Sequence, residues 1–422
     1  MKKKTSQAWV VAVSCAAILF GVSGIIANTI SLFMAQFNSV YPESTMAQLA
    51  LYFTIMTGTM AIFQPVARKL FAKFDTRIIV SIAILVAAGG FVAISFYTSY
   101  IGWLISGLLI GMGFSFIIYL MGPILVNNWF KNKAGTVLGV VLAFSNLGGA
   151  VFGTVVGKMI ASFGWQGAMR ISALVALCIG LPFAIFGLRY APNPAKGEAA
   201  YGEGEAETET AAAAQSAPQQ HGFTFGEAIK TPWLWVVALV VVVCFFGSNF
   251  QTQAAKFVIS EYAFDIAQAG IISTVLMVGA VVGKVLLGII NDKFGCGVCY
   301  TVGCGAMIAG IVVMVVGTGF GAFMAFLGAF LFGFGFATMS IAPPFIIKKV
   351  LGPKHFAQIY GYIASVGTLT SMFSSNIYAG IYTNVGSYTG GMVAASIALA
   401  VGIAVLWAGL VFSAKMWKKK AQ

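Results

Sequence analysis

Apolar residues in this chain come in long runs rather than in alternation. The runs are roughly 20 residues or longer and are broken by short polar or Gly/Pro clusters, the pattern of helices that cross a bilayer. Twelve spans are predicted. The first six lie near Ala8–Phe37, Ala47–Phe63, Ile78–Tyr97, Ile101–Val126, Gly135–Phe163 and Ala168–Gly187. The second six lie near Trp233–Ala255, Ala267–Ile290, Val298–Gly317, Ala322–Ile347, Tyr360–Tyr382 and Met392–Phe412. Met1–Lys4 and the apolar sequence after it resemble a signal peptide, but the first run is far too long for a signal core and reads as a span. Between the sixth and seventh spans, residues 189–231 hold Glu198, Glu203, Glu205, Glu207, Glu209 and Glu227, the run Ala211–Ala214, and several Pro and Gly. Such a stretch cannot bury a core, which predicts a disordered cytoplasmic linker. It would join a bundle at 1–188 to a second at 232–422. Its end, Phe225–Thr231, is a candidate short interfacial helix. Excising Ala200–Gln219 is expected to leave the protein's activity within a few-fold.

Composition narrows the class. Hydrophobic residues make up 59% of the 422 and charged residues 8%, against about 25% charged in soluble domains. Mean hydropathy is +0.94. Too few polar side chains exist to coat a water-facing surface, which excludes a soluble enzyme. The net charge of +13 could suggest nucleic acid, but its placement explains it better. Of the 24 Lys and Arg, 20 fall at the N-terminus, the C-terminus or the loops after even-numbered spans, once the N-terminus is set inside. This is the positive-inside distribution. The expected fold is an all-α membrane protein of twelve transmembrane helices in two pseudo-symmetric six-helix bundles, with both termini inside.

The two halves repeat. Gly111-Met112-Gly113-Phe114 echoes Gly333-Phe334-Gly335-Phe336 at an offset of 222, as Gly139 echoes Gly361. Lys73-Phe74 echoes Lys293-Phe294 at an offset of 220. A parallel repeat of six spans predicts a ligand site near the midplane, shared by the halves. Gly149, Gly153 and Gly157 form GxxxGxxxG in the fifth span and read as close helix packing.

After the eighth span the chain reads Gly288-Ile289-Ile290-Asn291-Asp292-Lys293-Phe294-Gly295. This GxxxD[R/K]xG pattern resembles the signature loop of the major facilitator superfamily, in which Gly288, Asp292, Lys293 and Gly295 would serve gating. The first-half copy, Ala72–Arg77, lacks the Asp that would match Asp292. Three further features are similar to the oxalate–formate antiporter and monocarboxylate transporter families. They are Glu227–Trp235 at the entry to the seventh span, Asn128–Gly135 after the fourth, and Lys284-Val285-Leu286-Leu287-Gly288 in the eighth. Those families carry Arg at the position of Lys284, as RxxxGxxxD, where it binds a substrate carboxylate. They also place a site tyrosine where Tyr119 stands.

Lys284 is the one basic residue in the central region of any span, and no Asp or Glu lies within a span. A charge at that depth costs free energy and marks function. The absence of buried carboxylates argues against cationic substrates and removes the usual proton relay. Other candidate contacts are Asn28, Asn249, Gln253, Ser340 and Ser365, each of which could equally bond helix to helix. Of the six cysteines, Cys296 and Cys299 form a CxxC; neither a disulfide framework nor a four-ligand metal site is expected. No catalytic motif is present, and no cofactor or metal is expected. The reading is a monomeric, multi-pass transporter in a bacterial-type inner (plasma) membrane. It moves a small organic monocarboxylate by antiport or uniport, with the lipid bilayer and the anion as its partners and no nucleic acid. The alternatives are an exporter of larger amphipathic compounds and, from another class, a transporter-like membrane sensor.

Overall fold

The computed structural model describes residues 6–30, 32–33, 46–97, 100–193, 198–202, 222–264 and 266–421. The chain divides into two compact units, Met1–Ala217 and Pro218–Gln422. Both are helical, and the described residues contain no strand beyond an isolated bridge between Phe130 and Tyr201. Among the described residues nine helices are long and apolar enough to cross a membrane.

The first unit begins with α1 (Ser6–Ile30), α2 (Met46–Lys73), α3 (Thr76–Ile94) and α4 (Ile101–Trp129). The helical stretch Ala134–Gly187 that follows turns at Gly164, where φ is 70° and ψ 166°. Only glycine adopts that conformation readily, so the stretch holds two helices, α5 (134–163) and α6 (165–187). In the second unit α7 is broken into Pro232–Ser248 and Gln251–Glu261. It is followed by α8 (Ile266–Phe294), α9 (Cys296–Val316), α10 (Ala322–Leu351), α11 (Phe356–Val385) and α12 (Tyr388–Ala421). The order matches the expected twelve. The second span is longer than expected, because the helix runs through Gln64-Pro65 to Lys73. Hydropathy falls there, yet Pro65 does not end the helix.

The repeat read from the sequence is a repeat of contacts. A Cβ on Gly111 would strike the carbonyl of Met56, and one on Gly333 that of Leu276, the counterpart of Met56 at an offset of 220. Gly113 meets the carbonyl of Ala83, and Gly335 that of Gly303, again counterparts. Thus α4 lies backbone-to-backbone on α2 and α3, and α10 lies in the same way on α8 and α9. Such approach is how helices associate when lipid removes any hydrophobic drive between them. The GxxxGxxxG expectation holds only in part. A Cβ on Gly149 would meet Asn28, but nothing among the described residues lies within 4 Å of Gly153 or Gly157.

Each unit gathers basic loops at one end. In the first, Arg77 Nε donates to the carbonyl of Leu188 (3.0 Å) and Trp129 Nε1 to that of Arg189 (2.8 Å). This joins the loops after α2, α4 and α6. In the second, Lys348 lies 5.1 Å over the Phe356 ring, and the Phe223 amide donates to the Leu351 carbonyl at 3.1 Å.

The expected disorder of 189–231 does not reach its two ends. Glu198 pairs with Arg189, and Tyr201 packs edge-on against Trp9 while its carbonyl accepts from the Lys131 amide (2.9 Å). At the other end Phe225 stacks on Tyr362, and Phe225–Ile229 is a helix closed by a capping box of Thr224 and Glu227. The glutamates at 203, 205, 207 and 209 and the run Ala211–Ala214 lie outside the described residues. Excision should therefore start after Gly202, since a cut from Ala200 also removes the Tyr201 contact.

The glycine contacts make a stability prediction. Gly335→Val should cost about 1–3 kcal/mol by overpacking against α9, read as a lower midpoint in a thermal scan of purified protein. Gly305→Ala, with nothing within 4 Å among the described residues, should leave the midpoint unchanged.

Candidate functional site

In the first unit the candidates sit where helices depart from regular winding. Residues Leu19–Ala27 of α1 wind as a π-helix that ends at Asn28, and Ile117–Met121 of α4 form a π-helical turn around Tyr119. The second has a cause in the sequence. Pro123 has no N–H to offer the Tyr119 carbonyl four residues earlier, and its ring crowds that carbonyl, so the backbone widens. The two irregular segments contact each other. Asn28 donates from Nδ2 to the Ser145 carbonyl (2.7 Å), and the Ser23 and Ser145 hydroxyls are 2.8 Å apart. The result is a polar seam between α1 and α5, with Tyr119 half-buried on the neighbouring turn.

In the second unit the corresponding helices, α7 and α10, are irregular as well. The first breaks at Asn249-Phe250. The second has a slight irregularity at Ala337, still helical at φ −58° and ψ −23°, ahead of Pro343 and Pro344. Pro344 stands to Ser340 as Pro123 stands to Tyr119, four residues on, so both hydroxyl-bearing candidates precede a helical proline by one turn. Irregular helices at matching places in two repeats are the strongest pointer to a transport site that sequence and fold supply together.

Lys284 is buried, 6% exposed, on the α8 stripe of Ala280, Lys284, Leu287 and Asn291. Its neighbour Gly283 abuts Phe334 of α10. The signature loop follows on the same helix. Gly288 is buried, Asp292 and Lys293 are exposed, and Gly295 turns the chain at φ 85° into α9. The first half makes the same turn differently, with Asp75 capping α3 by accepting from the Arg77 amide (2.9 Å).

Like Asn28, three more of the expected contacts have other engagements. Both amide hydrogens of Asn249 are used, one on the Phe245 carbonyl (2.7 Å) and one on Ser371 Oγ (2.8 Å). Asn249 thus caps the broken helix and ties α7 to α11, leaving only an acceptor, which suits an anion poorly. Ser365 Oγ donates to the Gly361 carbonyl of its own helix (3.0 Å). Gln253 is buried and donates to Thr252 Oγ1 at 3.3 Å. One polar group absent from the sequence-derived set emerges: Gln64, in α2, is fully buried. The hydroxyl of Thr338, a polar position of the tenth span beside Ser340 that the sequence already offers, is buried without a partner among the described residues. Gln64 was hidden because Gln-Pro read as a span end. All six cysteines are free, and among the described residues no group of three His, Cys, Asp or Glu could hold a metal.

Comparison with known proteins places the chain. The family model of the Major Facilitator Superfamily matches residues 12–375 and again 242–420. An uncharacterised MFS-type transporter, YhjX, of Escherichia coli (strain K12) is 22% identical, with 76% of each chain covered. The hexuronate transporter of Bacillus subtilis (strain 168) is 23% identical over 58% of this chain and 56% of its own. Monocarboxylate transporter 12 of Xenopus laevis is 24% identical over 39% and 35%. The crystal structure of the human organic anion transporter MFSD10 (TETRAN) superposes with a TM-score of 0.65 at 13% identity, covering 96% of this chain and 99% of that one; this likeness concerns the fold.

The Asn249 geometry separates structure from binding. Asn249→Ala removes a cap and a helix–helix bond and should cost about 1–2 kcal/mol, read as a lower thermal midpoint, while binding of a labelled acid stays within a few-fold.

Proposed function

Since the chain belongs to the Major Facilitator Superfamily, we propose that it is a carrier of a small organic monocarboxylate, working by alternating access as an exchanger or uniporter. The observation that carries this is Lys284, a lysine buried in the α8 helix. A charged side chain at that depth is costly and marks function, and an ammonium there is suited to anchor a substrate carboxylate. Two of the relatives support the class of cargo by their names, a hexuronate transporter and a monocarboxylate transporter. A single central cation suits a monoanion better than a dianion. Ser340 in the same unit is the hydroxyl donor favoured for the cargo's remaining oxygens; Asn249 and Ser365 are not.

The decisive measurement is binding of a panel of labelled acids to purified variants, with size exclusion as the folding check. Lys284→Ala should weaken binding about 100-fold or more, since an uncompensated buried charge costs roughly 3 kcal/mol. Lys284→Arg should keep partial affinity with altered selectivity, because a planar fork and a point charge grip carboxylates differently. Lys284→Glu should be worse than Ala. Normal affinity in the Ala variant would sink the anchor. Separately, proteoliposomes preloaded with the acid should exchange it with neither a pH nor a sodium gradient; exchange only under a gradient would exclude this mode.

A further inference from the structure

We propose that the mouth of the α2–α3 hairpin binds an anionic phospholipid of the surrounding leaflet. Its acyl chain would lie in a groove on the first unit, and its phosphate would sit among Lys73, Arg77 and Arg189. The groove has a volume of about 480 Å³ and is walled by apolar side chains of α2, α3 and α4, including Val66, Leu70, Ile82 and Met112. Val66, Phe74, Ile78 and Ile82 are exposed along it. At one end it reaches Phe74 and Asp75, and these same two residues also line a second cavity of about 490 Å³ that carries charged side chains. Its charged lining is Asp75, Arg77, Arg189 and Glu198, set among polar and apolar neighbours that include Tyr190 and Pro192. An apolar trough running into a charged chamber has the form of a lipid, tail and head.

The charges select the head group. Both carboxylates at the mouth are already engaged. Asp75 accepts from the Arg77 amide, and Glu198 is paired with Arg189. Arg77 is held in the chamber by its Nε bond to the Leu188 carbonyl, at 3.0 Å. Arg189 Nε is buried and has no hydrogen-bond partner among the described residues. A buried donor left without an acceptor is unfavourable, and a phosphate oxygen is the acceptor this chamber calls for. Lys73 lies at the lip, exposed, with its Nζ 5.6 Å from the centre of the Phe74 ring. Basic pockets between helices at the cytoplasmic face favour anionic over neutral lipid. This site does not depend on the nature of the cargo.

The test is native mass spectrometry of the purified full chain in detergent, with equimolar dioleoylphosphatidylglycerol and dioleoylphosphatidylcholine. The phosphatidylglycerol adduct should be retained preferentially. Lys73→Ala and Arg77→Gln should each weaken its retention about fivefold. Ile82→Trp fills the groove without touching a charge and should weaken retention as well; size exclusion shows whether each variant remains folded, and Lys73→Ala alters only an exposed side chain. Equal retention of the two lipids would overturn the proposal, as would phosphatidylglycerol binding unchanged in Lys73→Ala and Ile82→Trp. Glycerol 1-phosphate should compete poorly. If it displaces the lipid fully and Ile82→Trp has no effect, the chamber binds a free phosphate ester and the groove plays no part.

Discussion

A helix in lipid gains nothing hydrophobic by meeting another helix, because the acyl chains it leaves are as apolar as the side chains it meets. What holds such helices together is dispersion at short range, and short range requires positions with no side chain between two backbones. In this protein those positions include Gly111 and Gly113 in one unit and Gly333 and Gly335 in the other, each against a carbonyl of a neighbouring helix. They fix α4 on α2 and α3, and α10 on α8 and α9. The placement of the helix irregularities follows from that, since Tyr119 and Ser340 lie a turn or two beyond these glycines on the same helices.

Proline then introduces irregularity where the packing can tolerate it. Pro123 and Pro344 each remove a donor from a span, and a bilayer supplies no water to replace it. The chain responds with a π-helical turn in α4, whereas the helix of α10 runs from Thr338 to Leu351 through Pro343 and Pro344. Polar side chains gather beside such defects and mostly satisfy one another. Ser23, Asn28 and Ser145 form a closed seam, and Asn249 with Ser371 forms another. These bonds align helices. The amide hydrogens spent in these seams move the weight of the proposed ligand contacts away from Asn249 and towards Lys284.

Charge organises the rest. Basic side chains collect at one end of each unit, where hydrogen bonds onto backbone carbonyls link the loops that carry them. The same end of the first unit holds the chamber of Arg77 and Arg189, open to an apolar groove. Lys284 is the exception, a cation placed deep in a helix, and the proposed carboxylate cargo answers that exception.

The sequence by itself determined the class, the order of spans, the crowding of basic loops and the repeat. Each of these is a one-dimensional property: run length, sign of charge, or an offset between like residues. It also singled out Lys284, because a lone charge in an apolar run is visible without coordinates. Only the tertiary structure decided which polar residues are already satisfied, because their partners are distant in the chain: Asn249 meets Ser371 and Asn28 meets Ser145, each more than a hundred residues away. It alone separated Gly149, which touches Asn28, from Gly153, which meets nothing described. It carried α2 past Gln64-Pro65, so that Gln64 became interior. And it seated Tyr201, read in the sequence as part of a disordered linker, against Trp9 and Phe130. Composition records how much apolar surface a segment offers, whereas whether a ring finds other rings to cover it depends on where the fold brings them.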